Sequence, residues 1–150
     1  VNPWLAFFLL ALVGVLVASE KVSAHAAGGG APNAGIGLFA QAIAFAEGFG
    51  IAGAIPTVRH NPGDLEYHGD TPDTYTDDAA GWQALYLHLE KVADGRGIPY
   101  GYSPDMTIDA FGRRYTATEQ DAWIANVVAY LNANGRPDVG PATSLAGVLV

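Results

Sequence analysis

Apolar side chains return every three to four residues in four separate stripes between Ile36 and Leu131, and that period is the signature of helices. Ile36, Phe39, Ala40 and Ile43 share one face of a first helix, which Gly48 is suited to end. Trp82, Leu85, Leu89 and Val92 form a second stripe that follows Asp78 as a cap and stops at Asp94-Gly95. Thr107 opens a short third helix carrying Ile108, Phe111 and Tyr115, with Arg113 and Arg114 near its C-terminal end, where cations suit the helix dipole. Thr118 with Asp121 resembles a capping box before a fourth helix through Trp123, Val127, Tyr130 and Leu131, stopped by Gly135 and Pro137. The predicted fold is therefore mainly α, one small domain over residues 36–135. Between helices one and two lies a long polar segment, Gly50 to Ala80, whose Pro62, Tyr67 and Tyr75 predict an ordered, partly hairpin-like lining for a cleft.

The rest of the 150 residues is leader, tether and tail. From Trp4 to Ala18 no charge or amide interrupts the apolar run. That is shorter than the roughly 20 residues that span a bilayer comfortably, and it suits either a secretory signal or a retained anchor. Ala24-x-Ala26 offers a cleavage pattern, so residues 1–26 read as signal peptide or membrane anchor, and the domain is expected outside the cytoplasm. Residues 27–35, rich in Gly, Ala and Pro, read as a flexible tether. Residues 136–150 have no usable period and read as a loosely docked tail.

Charge and cysteine content exclude whole classes of function. Fifteen acidic side chains face seven basic ones, a net charge of −8, so there is no basic face with which to displace counterions from nucleic-acid phosphate. With no cysteine, disulfide frameworks, thiolate metal sites and cysteine nucleophiles are all absent. No G-x-S-x-G element announces a serine hydrolase.

Glu47 stands out. At 100° per residue it falls about 40° from Ile43 and about 20° from Ile36, inside the apolar stripe. It also occupies the last helical turn, where the dipole presents partial negative charge. Burial and dipole both disfavour ionisation and raise the pKa, which suits a general acid working near neutrality. A Glu bending out to water past Gly48 is the plainer alternative.

Downstream, His60-Asn61-Pro62-Gly63-Asp64-Leu65 is a rigid turn, in which Pro fixes φ, Gly permits positive φ and Asn can bond backbone or a neighbouring carboxyl. The helix-ending Glu47-Gly48-Phe49, this turn, Gly81-Trp82-x-Ala84-Leu85, Thr107-Ile108-x-x-Phe111-x-x-x-Tyr115-Thr116 and Trp123-Ile124-x-Asn126-Val127 occur in one order. Together they resemble the lysozyme-like superfamily, closest to phage and bacterial lytic transglycosylase or muramidase-type domains with an NNPGNL turn. The resemblance covers about two-thirds of the chain, from near Ile36 to Leu131, and implies an α+β lysozyme-like fold. It also implies that Glu47 is the acid protonating the glycosidic oxygen between N-acetylmuramic acid and N-acetylglucosamine. Asn61 would face that acid or the substrate across the cleft, and Tyr115 would hydrogen-bond near it. His60, Asp64 and Glu66 depart from the family pattern, which bears on substrate contacts more than on the acid.

Hydrolases of glycans usually pair two carboxylates, and the loop offers Asp64, Glu66, Asp70, Asp73, Asp77 and Asp78. A lytic transglycosylase needs only one acid/base, with the substrate's own hydroxyl attacking. Both readings rest on Glu47, with Asn61, Asp64, Tyr75 and Tyr115 as supports. Tyr67, Tyr75, Tyr100 and Tyr102 could offer faces to sugar rings, whereas Trp82 reads as core. No metal or other cofactor is expected. The rival metal reading, a wall peptidase using His60, Asp64, His68 and Asp70, matches no HExxH or similar helix-borne pattern. The expected partner is the peptidoglycan glycan strand, met by a monomer that touches membrane only through its N-terminal segment. The alternative is a non-catalytic glycan-binding or structural member of the same fold, a virion or secretion-machine component.

Overall fold

A computed structural model describes residues 33–66, 71–96 and 101–150, and over these the protein is mainly helical. Six helices follow in order: α1 (Ala34–Glu47), α2 (Ile55–Val58), α3 (Asp78–Ala93), α4 (Ile108–Tyr115), α5 (Gln120–Ala133) and α6 (Leu145–Val148). The four predicted stripes become α1, α3, α4 and α5. Their buried residues merge into one cluster, including Phe39, Ile43, Leu85, Leu89, Phe111, Val127 and Leu131, all fully buried. Burial of each such side chain is worth about 1.5–3 kcal/mol, and this cluster is what holds the helices together. α1 lies at the centre, packed chiefly on α5 and secondarily on α3, and Phe39 meets Phe111 of α4 edge to face at 5.6 Å.

Several helix boundaries differ from those read off the sequence. α1 begins at Ala34, where the Asn33 side chain accepts from the N–H of Ile36, so helix replaces tether from that point. Asp77, not Asp78, caps α3, and Asp78 stands in its first turn. Thr107 caps α4 as expected. Thr118 and Asp121 form no capping box. α5 starts at Gln120 behind Glu119, whose backbone is left-handed (φ 50°) and whose side chain makes no capping bond. Asp121 pairs instead with Arg113 of α4 at 2.9 Å. In the described parts of 50–80 there is no strand; the short α2, begun by a Pro in its first turn, stands where hairpin structure was expected. Tyr67 and residues 68–70 lie outside the described residues, as do the leader 1–26 and the apolar run within it. Among the described residues no helix is long and apolar enough to cross a membrane.

The C-terminal segment is part of the core rather than a loose tail. Leu145, Val148 and Leu149 are buried, and Ser144 caps α6. Backbone bonds from Ile108 to Thr143, from Leu145 to Met106 and from Ala146 to Pro104 bind the segment to the start of α4. Gly35 lies so close to this end that a Cβ there would fall 2.3 Å from the Val150 carbonyl oxygen. Leu145→Ala is expected to cost about 2–5 kcal/mol in urea unfolding, the range for truncating a fully buried leucine. A loosely docked tail would give a change near zero.

Candidate functional site

The left-handed Gly48 (φ 77°) ends α1, donating back to the Ala44 and Phe45 carbonyls, and this leaves Glu47 at the helix terminus. Its side chain turns inward, as the apolar stripe required. Glu47 Oε1 accepts the indole N–H of Trp123 at 2.7 Å, a bond between residues 76 apart in sequence. Burial pushes the carboxyl up to about 7, opposed by the Trp123 bond and reinforced by the charges of Asp64 and Glu66.

The wall facing it is the turn from His60 to Leu65. His60 and Asp64 both have left-handed backbone, with φ of 53° and 47°, a conformation that side chains other than Gly adopt only where their surroundings hold them. Asn61 does the holding. Fully buried, it donates through Nδ2 to the carbonyls of Leu65 and Asp73, both at 3.0 Å, and accepts from the Leu65 N–H at 2.9 Å. The expectation that Asn61 faces the acid is therefore corrected. A side chain with no exposure and three bonds to its own loop is the turn's internal strut. His60 Nδ1 bonds Asp78 Oδ1 at 2.6 Å, and a Cβ on Gly81 would fall 1.8 Å from the His60 carbonyl oxygen, so the turn is pressed onto the first turn of α3. Tyr115 reaches the same turn from α4, its hydroxyl donating to the Gly63 carbonyl.

So anchored, the turn presents Asp64 to the cleft. This half-buried carboxyl is held above its usual range, by burial first and by Glu66 beside it, against the pull of Arg59. Its Oδ1 is buried without a hydrogen-bond partner. The cleft that Glu47 and Asp64 share encloses about 500 Å³ and is also lined by Leu65, Glu66, His88, Tyr102 and Tyr115. Its far side runs from Arg113 to Thr118 and on to Gln120. Arg113 is fixed there by Asp109 at 3.0 Å and Asp121 at 2.9 Å, and the Gln120 amide donates to the carbonyls of Arg113 and Thr116.

Of the predicted site residues, the structure gathers Glu47, Asp64 and Tyr115 on one cleft. Asn61 lies behind it. Tyr75 does not line it: its N–H is bonded to the Arg59 carbonyl and its buried hydroxyl has no partner. Among the candidate stacking faces, Tyr102 lines the cleft, while Tyr67 and Tyr100 lie outside the described residues. Trp82 packs against Phe49 and Tyr86 in the apolar cluster. His68 and Asp70, half of the metal reading, also fall outside the described residues, and among those described no three His, Asp or Glu side chains are placed to hold a metal ion.

Two further residues belong to the site, Trp123 through its bond to the acid and His88 on the cleft lining. Trp123 was assigned to the core from its spacing, which says nothing about where its N–H points. His88 was passed over, although it stands three residues after Leu85 and four before Val92 and so belongs to the α3 stripe. It is buried, and burial followed by the charge of Lys91 lowers its pKa to about 4, so it is neutral at pH 7. Comparison with protein-family models, with curated proteins and with solved structures finds no match to this chain.

The two shifted groups couple stability to pH with opposite signs. Glu47 holds its proton in the folded state up to about pH 7, whereas an unfolded Glu releases it near 4.5, so its contribution to stability falls as pH rises through that window. His88 is neutral when folded down to about pH 4 and charges near 6.5 when unfolded, so its contribution falls as pH drops through its own window. Glu47→Gln is accordingly expected to stabilise the domain at pH 8 by about 2 kcal/mol, allowing for the partial exposure of the carboxyl, and to leave it little changed at pH 4. Urea melts at the two pH values measure the difference; equal effects at both would mean that the carboxyl is not shifted.

Proposed function

We propose that this is a lysozyme-like domain that cleaves the glycan strands of peptidoglycan between N-acetylmuramic acid and N-acetylglucosamine, with Glu47 as general acid and base. The observation that carries the reading is a helix-end carboxyl, raised to about 7 by burial, opening on a cleft that also holds a second carboxyl. A proton retained to neutrality is what protonation of a glycosidic oxygen requires. The ordered series of motifs resembling lytic transglycosylases and muramidases supplies the substrate class. The apolar run from Trp4 to Ala18 supports export or anchoring, as cleavage of the wall requires.

The chemistry follows from the groups on the cleft. Glu47 gives its proton to the bridging oxygen as the bond from that oxygen to the anomeric carbon breaks. The resulting positive charge on the sugar is stabilised by the carboxylate wall, Asp64 foremost. Glu47, now ionised, takes a proton from the attacking hydroxyl, that of water in a muramidase or of the substrate itself in a lytic transglycosylase. His88, neutral and buried, offers polarity to the cleft floor without a charge.

Clearing of purified cell wall is expected to fall by a factor of about 10²–10⁴ in Glu47→Gln, the range for loss of a general acid. The wild-type rate is expected to decline above about pH 7, as Glu47 loses its proton. Mass spectrometry of the released fragments separates the two products, which differ by one water. Wall binding without clearing would leave only the non-catalytic reading.

A further inference from the structure

We propose that Trp123 is the positioning residue of the acid: by donating its indole N–H to Oε1 it fixes the orientation of Glu47 and confines the transferable proton to Oε2. The indole nitrogen is a donor only. In a protonated carboxyl the C=O oxygen is the stronger acceptor, so the oxygen bonded to the indole at 2.7 Å is the one without hydrogen. The acid therefore has one proton-bearing atom instead of two interchangeable ones. The bond and the proton placement stand independently; only their kinetic consequence rests on the proposed glycan cleavage.

The indole is itself immobilised. Trp123 is 5% exposed, and its ring lies 5.4 Å from that of Tyr115 and 6.2 Å from that of Phe111. α4 crosses the ring at Gly112, where a Cβ would come within 3.0 Å of Cε3 and 3.1 Å of Cζ3, and within 2.6 Å of Ile124. A side chain at position 112 would push the indole away, so the absence of one on α4 maintains a hydrogen bond made by α5 to α1. Tyr115 has a double part in this arrangement, since the same residue that flanks the indole grips the turn carrying Asp64. Acid and opposing carboxyl are thus aligned by one helix.

The indole bond also counters the other influences on the carboxyl. Burial and the two neighbouring carboxylates favour the protonated form, and the N–H favours the ionised one. The remaining charged or titratable groups on the cleft are His88 of α3, Tyr102 before α4, and Arg113, Arg114 and Tyr115 of α4, besides Asp64 of the turn and Glu66 just after it.

Nitrogen-15 NMR of the full chain tests this. The Trp123 indole resonance, identified by its loss in Trp123→Phe, is expected to move with the ionisation of Glu47, because a charged acceptor strengthens the bond. In Glu47→Gln that response should vanish, which distinguishes it from titration of Asp64, Glu66 or His88. Carbon-13 detection of the Glu47 carboxyl should show its midpoint rising by about one pH unit in Trp123→Phe, and by less in Gly112→Ala. An indole signal indifferent to Glu47, or a midpoint unchanged or lowered in Trp123→Phe, overturns the proposal. If that variant does not fold, the wild-type titration and Glu47→Gln decide alone. With a cell-wall substrate, Trp123→Phe should lower kcat about tenfold with little change in KM, as loss of orientation predicts. Absence of wall cleavage by the wild type, with the indole still titrating, would defeat the cleavage reading and leave this inference intact.

Discussion

A carboxyl hidden between two helices is the constraint around which this domain is arranged. α1 and α5 bury their apolar stripes on each other, and that contact carries Glu47 and Trp123 to the same point from opposite ends of the chain. Hiding an acid without a cation costs free energy, and the structure meets that cost in two ways. The proton is kept, which removes the charge, and a single N–H satisfies one oxygen. The left-handed Gly48 terminates α1 at the position where burial gives way to cleft.

The opposite wall uses another principle. A turn with two non-glycine residues in left-handed backbone is expensive to form, of order 1–3 kcal/mol for each such residue. It persists here because Asn61 from within, Tyr115 from one side and α3 from the other fix its course. The reward is an aspartate aimed at the cleft from a support that does not yield. The acidic character of the chain becomes intelligible at this place: Asp64 and Glu66 sharpen the reluctance of Glu47 to ionise.

The helical layout was legible in the sequence because periodicity reports directly on burial. Four stripes predicted four helices, and the acidic residue inside the first stripe is the carboxyl that burial holds at the edge of the cleft. Where the reading missed, the deciding physics was not periodic. Leu145 and Val148 occupy a helix of four residues that Leu149 closes, too brief for any window to detect. Thr118 looked like a cap, but the left-handed backbone of Glu119 sets the entry to α5, and no composition rule reveals a left-handed glutamate. The sequence shows that Asn61 can hydrogen-bond but not in which direction, because the same amide can brace a loop or cross a gap, and only its complete burial chooses between them. Tyr75 failed for a similar reason, its polar tip turned into protein.

The meeting of Gly35 with Val150 brings residues 35 and 150 together at the start of α1. Helix geometry places the other end of α1, and with it Glu47, about 20 Å away. A peptide link closing the short gap between those positions, as in a circular permutant, would lie at the end of the helix remote from the carboxyl. The first helix thus acts as a spacer, and a permutant cut elsewhere on the surface should keep the cleft unobstructed.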